Sequence, residues 1–136
     1  MLSLEDRLDI TDLVARYNQA IDFRDAAAYA DTFTDDGVFQ ISGQPEIKGR
    51  EKLMRMIERL GPPNSRHWIN NITIEGDGDE AVMRCYLMFL RDLRITSMGF
   101  YVNTLRRIDG RWKFARRDYT PDAVPGPAAI PPASLA

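Results

Sequence analysis

The chain of 136 residues holds one cysteine and one histidine, and both scarcities exclude chemistry. Cys85 alone can form no internal disulfide. Its place in the apolar stretch AVMRCYLMFL makes it a small core residue. One imidazole without a cysteine pair leaves no zinc-type ligand set. The acids of GDGD, residues 76–79, lack the length and the closing glutamate of a calcium loop. The nine glycines are scattered through turns and form neither a phosphate-binding loop nor a dinucleotide fingerprint. A serine nucleophile would lack its local signature. A protein working without metal or cofactor is therefore expected.

A surplus of cationic charge is also lacking. Eighteen Lys and Arg stand against twenty Asp and Glu, for a net charge of −2. Nothing here supplies the field that holds nucleic acid or an anionic membrane surface. No apolar run approaches a membrane span. The acidic, amphipathic start MLSLEDRLDITDL has neither the basic head nor the apolar run of a signal peptide. The expectation is a cytoplasmic protein with no nucleic-acid or membrane partner.

What is present is ordinary for one globular domain, with 44% hydrophobic and 28% charged residues. Ser3 followed by Asp6 resembles a capping box. Ile10, Leu13, Val14, Tyr17 and Ile21 then recur with the spacing of one helical face. Asp22 follows at the helix end. DAAAYADTF predicts a short second helix over 25–33, which TDDG breaks with turn chemistry. VFQIS reads as a strand and GQPEIKG as a loop. REKLMRMIERL spaces Leu53, Ile57 and Leu60 as a third helix, and GPP at 61–63 stops it. Strands follow: RHWINNITIE, then the hairpin signal GDGD, EAVMRCYLMFL, ITSMGFYVNTLRRI, a second hairpin signal DG at 109–110, and RWKFARRDY. Helices first and antiparallel strands after them predict an α+β domain over 1–120. A proline-rich arm over 121–136 follows, holding five of the eight prolines. If the sheet curves, the space between helices and sheet becomes a pocket.

Few groups remain that can converge on a site. Alternation puts His67, Ile69 and Asn71 on one strand face. Tyr101 and Asn103 share a face of theirs and are candidates for substrate contact. Arg116 and Arg117 point to opposite faces, so one of them can turn inward. Asp22 ends a helix whose apolar side must pack on the sheet. A negative charge is unfavourable at a helix C-terminus, so Asp22 needs a compensating partner. A carboxylate beside His67 would orient the ring and stabilise its protonated form, making a better general base. The 45-residue separation leaves that contact open. Trp112 and Phe114 alternate as core, and Asp35 and Asp36 as turn residues.

The order of these pieces resembles the NTF2-like superfamily and, within it, the SnoaL-like group. The resemblance runs from LDITDLVARYNQAIDFRDAAAYADTFTDDGVF through GREKL and RHWINN to GFYVNTLRRIDGRWKFARRDY. It implies a cone-shaped α+β barrel of helices packed on a curved, mainly antiparallel sheet around a cavity. The residues look most like a lyase branch that includes scytalone dehydratase, bile-acid 7α-dehydratase and hexachlorocyclohexane dehydrochlorinase. That branch implies a His–Asp dyad at His67 and Asp22, and an arginine at Arg117, with Arg116 as the rival register. It further implies a polar residue at Tyr17 and cavity-lining positions at Phe39 and Tyr101. The tail resembles an arm that helps build a homotrimer, a dimer being the alternative. The function so implied is a cofactor-independent, dehydratase-like lyase acting on a small cyclic hydrophobic molecule. The alternatives are an isomerase or cyclase using the same base, or a non-catalytic ligand-binding domain.

Overall fold

The structure, a computed structural model, describes residues 1–123. The proline-rich arm expected over 121–136 lies from residue 124 onward outside the described residues.

Helix α1 (Leu4–Asp22) begins at a reciprocal capping box. The Ser3 hydroxyl accepts from the Asp6 backbone N–H at 3.0 Å, and the Asp6 carboxylate accepts from the Ser3 N–H at 3.1 Å. Its apolar stripe of Ile10, Leu13, Val14, Tyr17 and Ile21 is buried. Its C-terminus closes as a Schellman motif. The Asp25 N–H reaches the Ala20 carbonyl at 2.8 Å, and the Arg24 N–H reaches Ile21 at 3.2 Å. The left-handed residue of that motif is Arg24, with φ of 63°. Asp25 then caps α2 (Ala26–Asp31) by accepting from the Ala28 N–H at 3.0 Å.

The expected DDG break is instead part of one long strand, β1 (Phe33–Ile41). The Thr34 hydroxyl donates to Asp36 at 3.0 Å, and the pairing register shifts between Phe33 and Val38. This bulge is possible because Gly37 has no side chain: a Cβ there would lie 2.7 Å from that of Phe33. The loop read over GQPEIKG contains a two-residue strand, β2 (Ile47–Lys48). α3 (Arg50–Glu58) buries Leu53 and Ile57 and ends before Leu60.

Strands β3 (Ser65–Asp77), β4 (Glu80–Arg91), β5 (Arg94–Ile108) and β6 (Arg111–Pro121) form an antiparallel meander. The sheet is six-stranded, in the order β2-β1-β6-β5-β4-β3. β1 lies parallel to β6, so the sheet is mixed, and β2 and β3 leave it unclosed. Gly78 and the Asp109–Gly110 pair supply the positive φ that their hairpins need. Asp92 and Leu93 do the same between β4 and β5 without a glycine.

Two bulges decide which side chains face the helices. On β3 the register shifts between Asn70 and Thr73, and Asn71 takes φ of 51°. Asn71 is therefore exposed and does not share the inward face of His67 and Ile69. Beyond it Ile72 and Ile74 turn inward instead. On β6, Phe114 pairs with Leu105 but Arg116 pairs with Thr104, leaving Ala115 as the extra residue. Trp112 and Phe114 point inward before the bulge; Arg117 and Tyr119 point inward after it. The outer face of the meander carries Trp68, Tyr86, Met98 and Phe100, all exposed.

No helix of the described residues is long and apolar enough to cross a membrane.

Candidate active site

Asp22 ends α1, and Ser65 begins β3 against it. The Asp22 carboxylate meets β3 twice. Oδ2 accepts the His67 backbone N–H at 3.0 Å, and Oδ1 lies 2.6 Å from His67 Nδ1. Both side chains are largely buried. These two contacts are the compensating partner that a carboxylate at a helix C-terminus requires. Arg24 fixes the same corner. Its guanidinium donates to the carbonyls of Ile21 at 2.6 Å, Gly61 at 3.0 Å and Pro62 at 3.0 Å. It thus ties the helix end to the segment entering β3.

An ionised carboxylate accepts only, so the neutral His67 ring carries its proton on Nδ1. Nε2 is then the nitrogen left to exchange a proton with a ligand. The ring packs on Phe89, with centroids 4.8 Å apart.

His67 lines a cavity of about 270 Å³ between α1, α3 and the sheet. Its walls are mainly apolar and include Ile21, Phe39, Ile41, Met56, Leu87 and Tyr101. Arg24, Ser65, Arg91, Ser97 and Tyr119 add polar groups. A larger open groove, of about 870 Å³, runs outside α1 and α2 beside the β5–β6 turn. It contains no imidazole and mixes charges of both signs, so the smaller cavity is the chemical candidate.

The remaining site candidates lie behind this cavity rather than on it. Asn103, Tyr17 and Arg117 are buried and none of them lines it. The Arg117 guanidinium is 0% exposed. Its central carbon sits 4.0 Å from the Tyr101 ring centre, 4.1 Å from that of Tyr17 and 4.3 Å from that of Phe114. Nε donates to Asn103 Oδ1 at 2.8 Å, while Nη1 and Nη2 have no hydrogen-bond partner among the described residues. Asn103 in turn donates to the Met83 carbonyl at 3.1 Å. Tyr17 and Tyr29 place their hydroxyls 3.3 Å apart, and burial holds both phenols above the ordinary tyrosine range. Arg116, the rival, points outward and pairs with Asp118 at 2.9 Å and Glu46 at 2.8 Å.

Sequence reasoning missed Ser97 and Tyr119. Their hydroxyls are 2.8 Å apart and both line the cavity. The available signal was alternation, which puts Tyr119 two residues beyond Arg117 and Ser97 four before Tyr101.

Helices laid over one face of a curved, unclosed mixed sheet, with a cavity between the layers, define a cystatin-like or NTF2-like α+β protein. The chain belongs to the SnoaL-like domain family, whose model matches residues 2–118. No curated protein matches it significantly. Among solved structures, a protein of unknown function from Mycobacterium tuberculosis is similar, at 30% identity over 88% of this chain and 73% of that one, with a TM-score of 0.81. An NTF2-like protein with a cystatin-like fold from Novosphingobium aromaticivorans is 27% identical over 93% and 87%, with a TM-score of 0.79. A putative scytalone dehydratase from the same organism is 23% identical over 95% and 94%, with a TM-score of 0.76, and shares the fold.

Proposed function

We propose that the protein is a cofactor-independent, dehydratase-like lyase acting on a small cyclic hydrophobic molecule. One observation carries the reading: the 2.6 Å contact between His67 Nδ1 and Asp22, at the wall of a mainly apolar cavity of about 270 Å³. His67 Nε2 removes a proton from a carbon beside a carbonyl. The C–H electron pair becomes the new C=C bond. The neighbouring C–O bond breaks, and the departing oxygen takes the proton back from the imidazolium and leaves as water. Asp22 fixes the tautomer and stabilises the imidazolium.

Arg117 acts from behind Tyr101. Its guanidinium, which has no carboxylate against it among the described residues, gives the inner end of the cavity a positive field, which favours negative charge developing on a substrate oxygen. Tyr17 contributes through the cage that holds this guanidinium. Both residues act at one remove from the substrate, while Phe39 and Tyr101 touch it.

The test is a panel of β-hydroxylated cyclic ketones incubated in H2O and D2O and followed by mass spectrometry. Water loss that falls by ~10²-fold or more in His67→Gln supports the lyase. Deuterium entering the ketone without water loss supports the isomerase reading. Turnover unaffected by His67→Gln removes both.

A further inference from the structure

We propose that Ser97 and Tyr119 form the pole of the cavity that hydrogen-bonds an oxygen of the substrate. This rests on the cavity being the site and assigns the groups that hold the substrate's oxygen.

Two hydroxyls carry two protons, and the 2.8 Å contact between Ser97 Oγ and the Tyr119 hydroxyl uses one of them. Neither group has another protein partner among the described residues, so one O–H is left uncommitted at the cavity wall. Burial raises the Tyr119 phenol above its ordinary range, so it stays protonated and able to donate.

The arrangement is built into β5. Gly99 lies between Ser97 and Tyr101 on the inward face. A Cβ there would collide with the Thr120 carbonyl and fall 2.8 Å from the Tyr119 hydroxyl. The missing side chain is the space in which the phenol reaches Ser97. Tyr101 supports the ring from the other side, with centroids 5.0 Å apart.

The pole faces a molecule that also meets the imidazole. His67 pairs with Phe89 on β4, and Phe89 pairs with Ser97 on β5. Two strand spacings separate His67 from Ser97, about 10 Å between their backbones. A one- or two-ring compound fills that interval, with its oxygen at the hydroxyl pair and a carbon at Nε2.

The test uses 2-naphthol and its near-isostere 2-methylnaphthalene, titrated by ligand fluorescence. Wild type is expected to bind the naphthol ~3- to 10-fold more tightly, the yield of one hydrogen bond. Tyr119→Phe should lower that preference, and Tyr119→Phe combined with Ser97→Ala should abolish it, both leaving the 2-methylnaphthalene affinity unchanged, which a merely structural role would not do. Ser97→Ala should reduce the preference without removing the ring. His67→Gln should keep it, so failure of the base reading and failure of this one are separable. Equal affinity of wild type for both probes overturns the proposal. So does a preference that survives the combined Ser97→Ala and Tyr119→Phe change and disappears in His67→Gln, which would make the imidazole the group that holds the oxygen.

Discussion

Asp22 holds His67 at two points, the backbone N–H through one carboxylate oxygen and ring Nδ1 through the other. The same side chain therefore anchors the start of β3 to α1 and orients the imidazole. The two roles separate in substitutions. Asp22→Asn keeps an oxygen for the backbone N–H but loses the charge that enforces the Nδ1–H tautomer. Imidazole 15N shifts of the neutral ring, self-assigning because the chain has one histidine, should report Nδ1–H in wild type and a tautomer mixture in Asp22→Asn. Asp22→Ala also orphans the backbone N–H and should cost about 1–3 kcal/mol in urea unfolding. Identical shifts in Asp22→Asn and wild type would disconnect Asp22 from the ring.

Arg117 is a buried cation whose hydrogen-bonding partner is a neutral amide. Buried charges of this kind are seldom there for stability. Arg117→Met strands the Asn103 carbonyl oxygen and should cost about 1–3 kcal/mol. Adding Asn103→Leu should recover most of it, to within about 1 kcal/mol of wild type, with turnover still lost. A double variant as unstable as the single one would mean that the guanidinium holds the aromatic cage together.

Asp6 joins the start of α1 to the far end of the sheet. Hydrogen bonds from the Trp112 indole at 2.9 Å and from Ser3, together with Arg107 at 2.7 Å, hold its carboxyl down to about 2. The unfolded value is ~3.9. The folded pKa is depressed, so the stabilisation is complete above the unfolded value and is lost as pH falls from about 4 towards 2. Asp6→Asn should lower stability at pH 7 and flatten the acid limb in that window. An acid limb unchanged by Asp6→Asn would place the acid sensitivity elsewhere.

Trp68, Met88 and Met98 stand side by side across β3, β4 and β5, and Tyr86 pairs with Phe100 in the next row. Trp68 is 58% exposed on this outer face. A contiguous apolar row on a sheet face is unusual for a monomer. If the protein is the homo-oligomer expected from the resemblance, a second copy of this chain covers this face. Sedimentation velocity should show an oligomer that Trp68→Glu or Tyr86→Glu shifts towards monomer. A monomeric wild type at micromolar concentration excludes this.

Much of the architecture was legible locally. The capping box at Ser3 and Asp6, the apolar stripe of α1 and the hairpin signals at 76–79 and 109–110 depend on neighbours within a few residues. Physical chemistry fixes such features without a tertiary partner. Asp22 and His67 were legible as types in suggestive places, one an acid that needs a partner and the other the only imidazole. Their contact was not, because 45 residues of chain intervene.

The inward face of the sheet was decided elsewhere. Alternation carried on from Trp112 and Phe114 would turn Arg116 inward, and alternation carried on from His67 would keep Asn71 with it. The bulges at Ala115 and Asn71 reverse both, because the register of a strand is set by its partners' hydrogen bonds and by what the helices must cover. The Ser97–Tyr119 pair has the same origin. It joins residues 22 apart through a gap left by Gly99. Local sequence set most of the elements, though not β2 or the start of β1, and all of the chemical types available. The tertiary structure decided which of those types share a cavity, since a one-residue shift in pairing moves a side chain from one face of the sheet to the other.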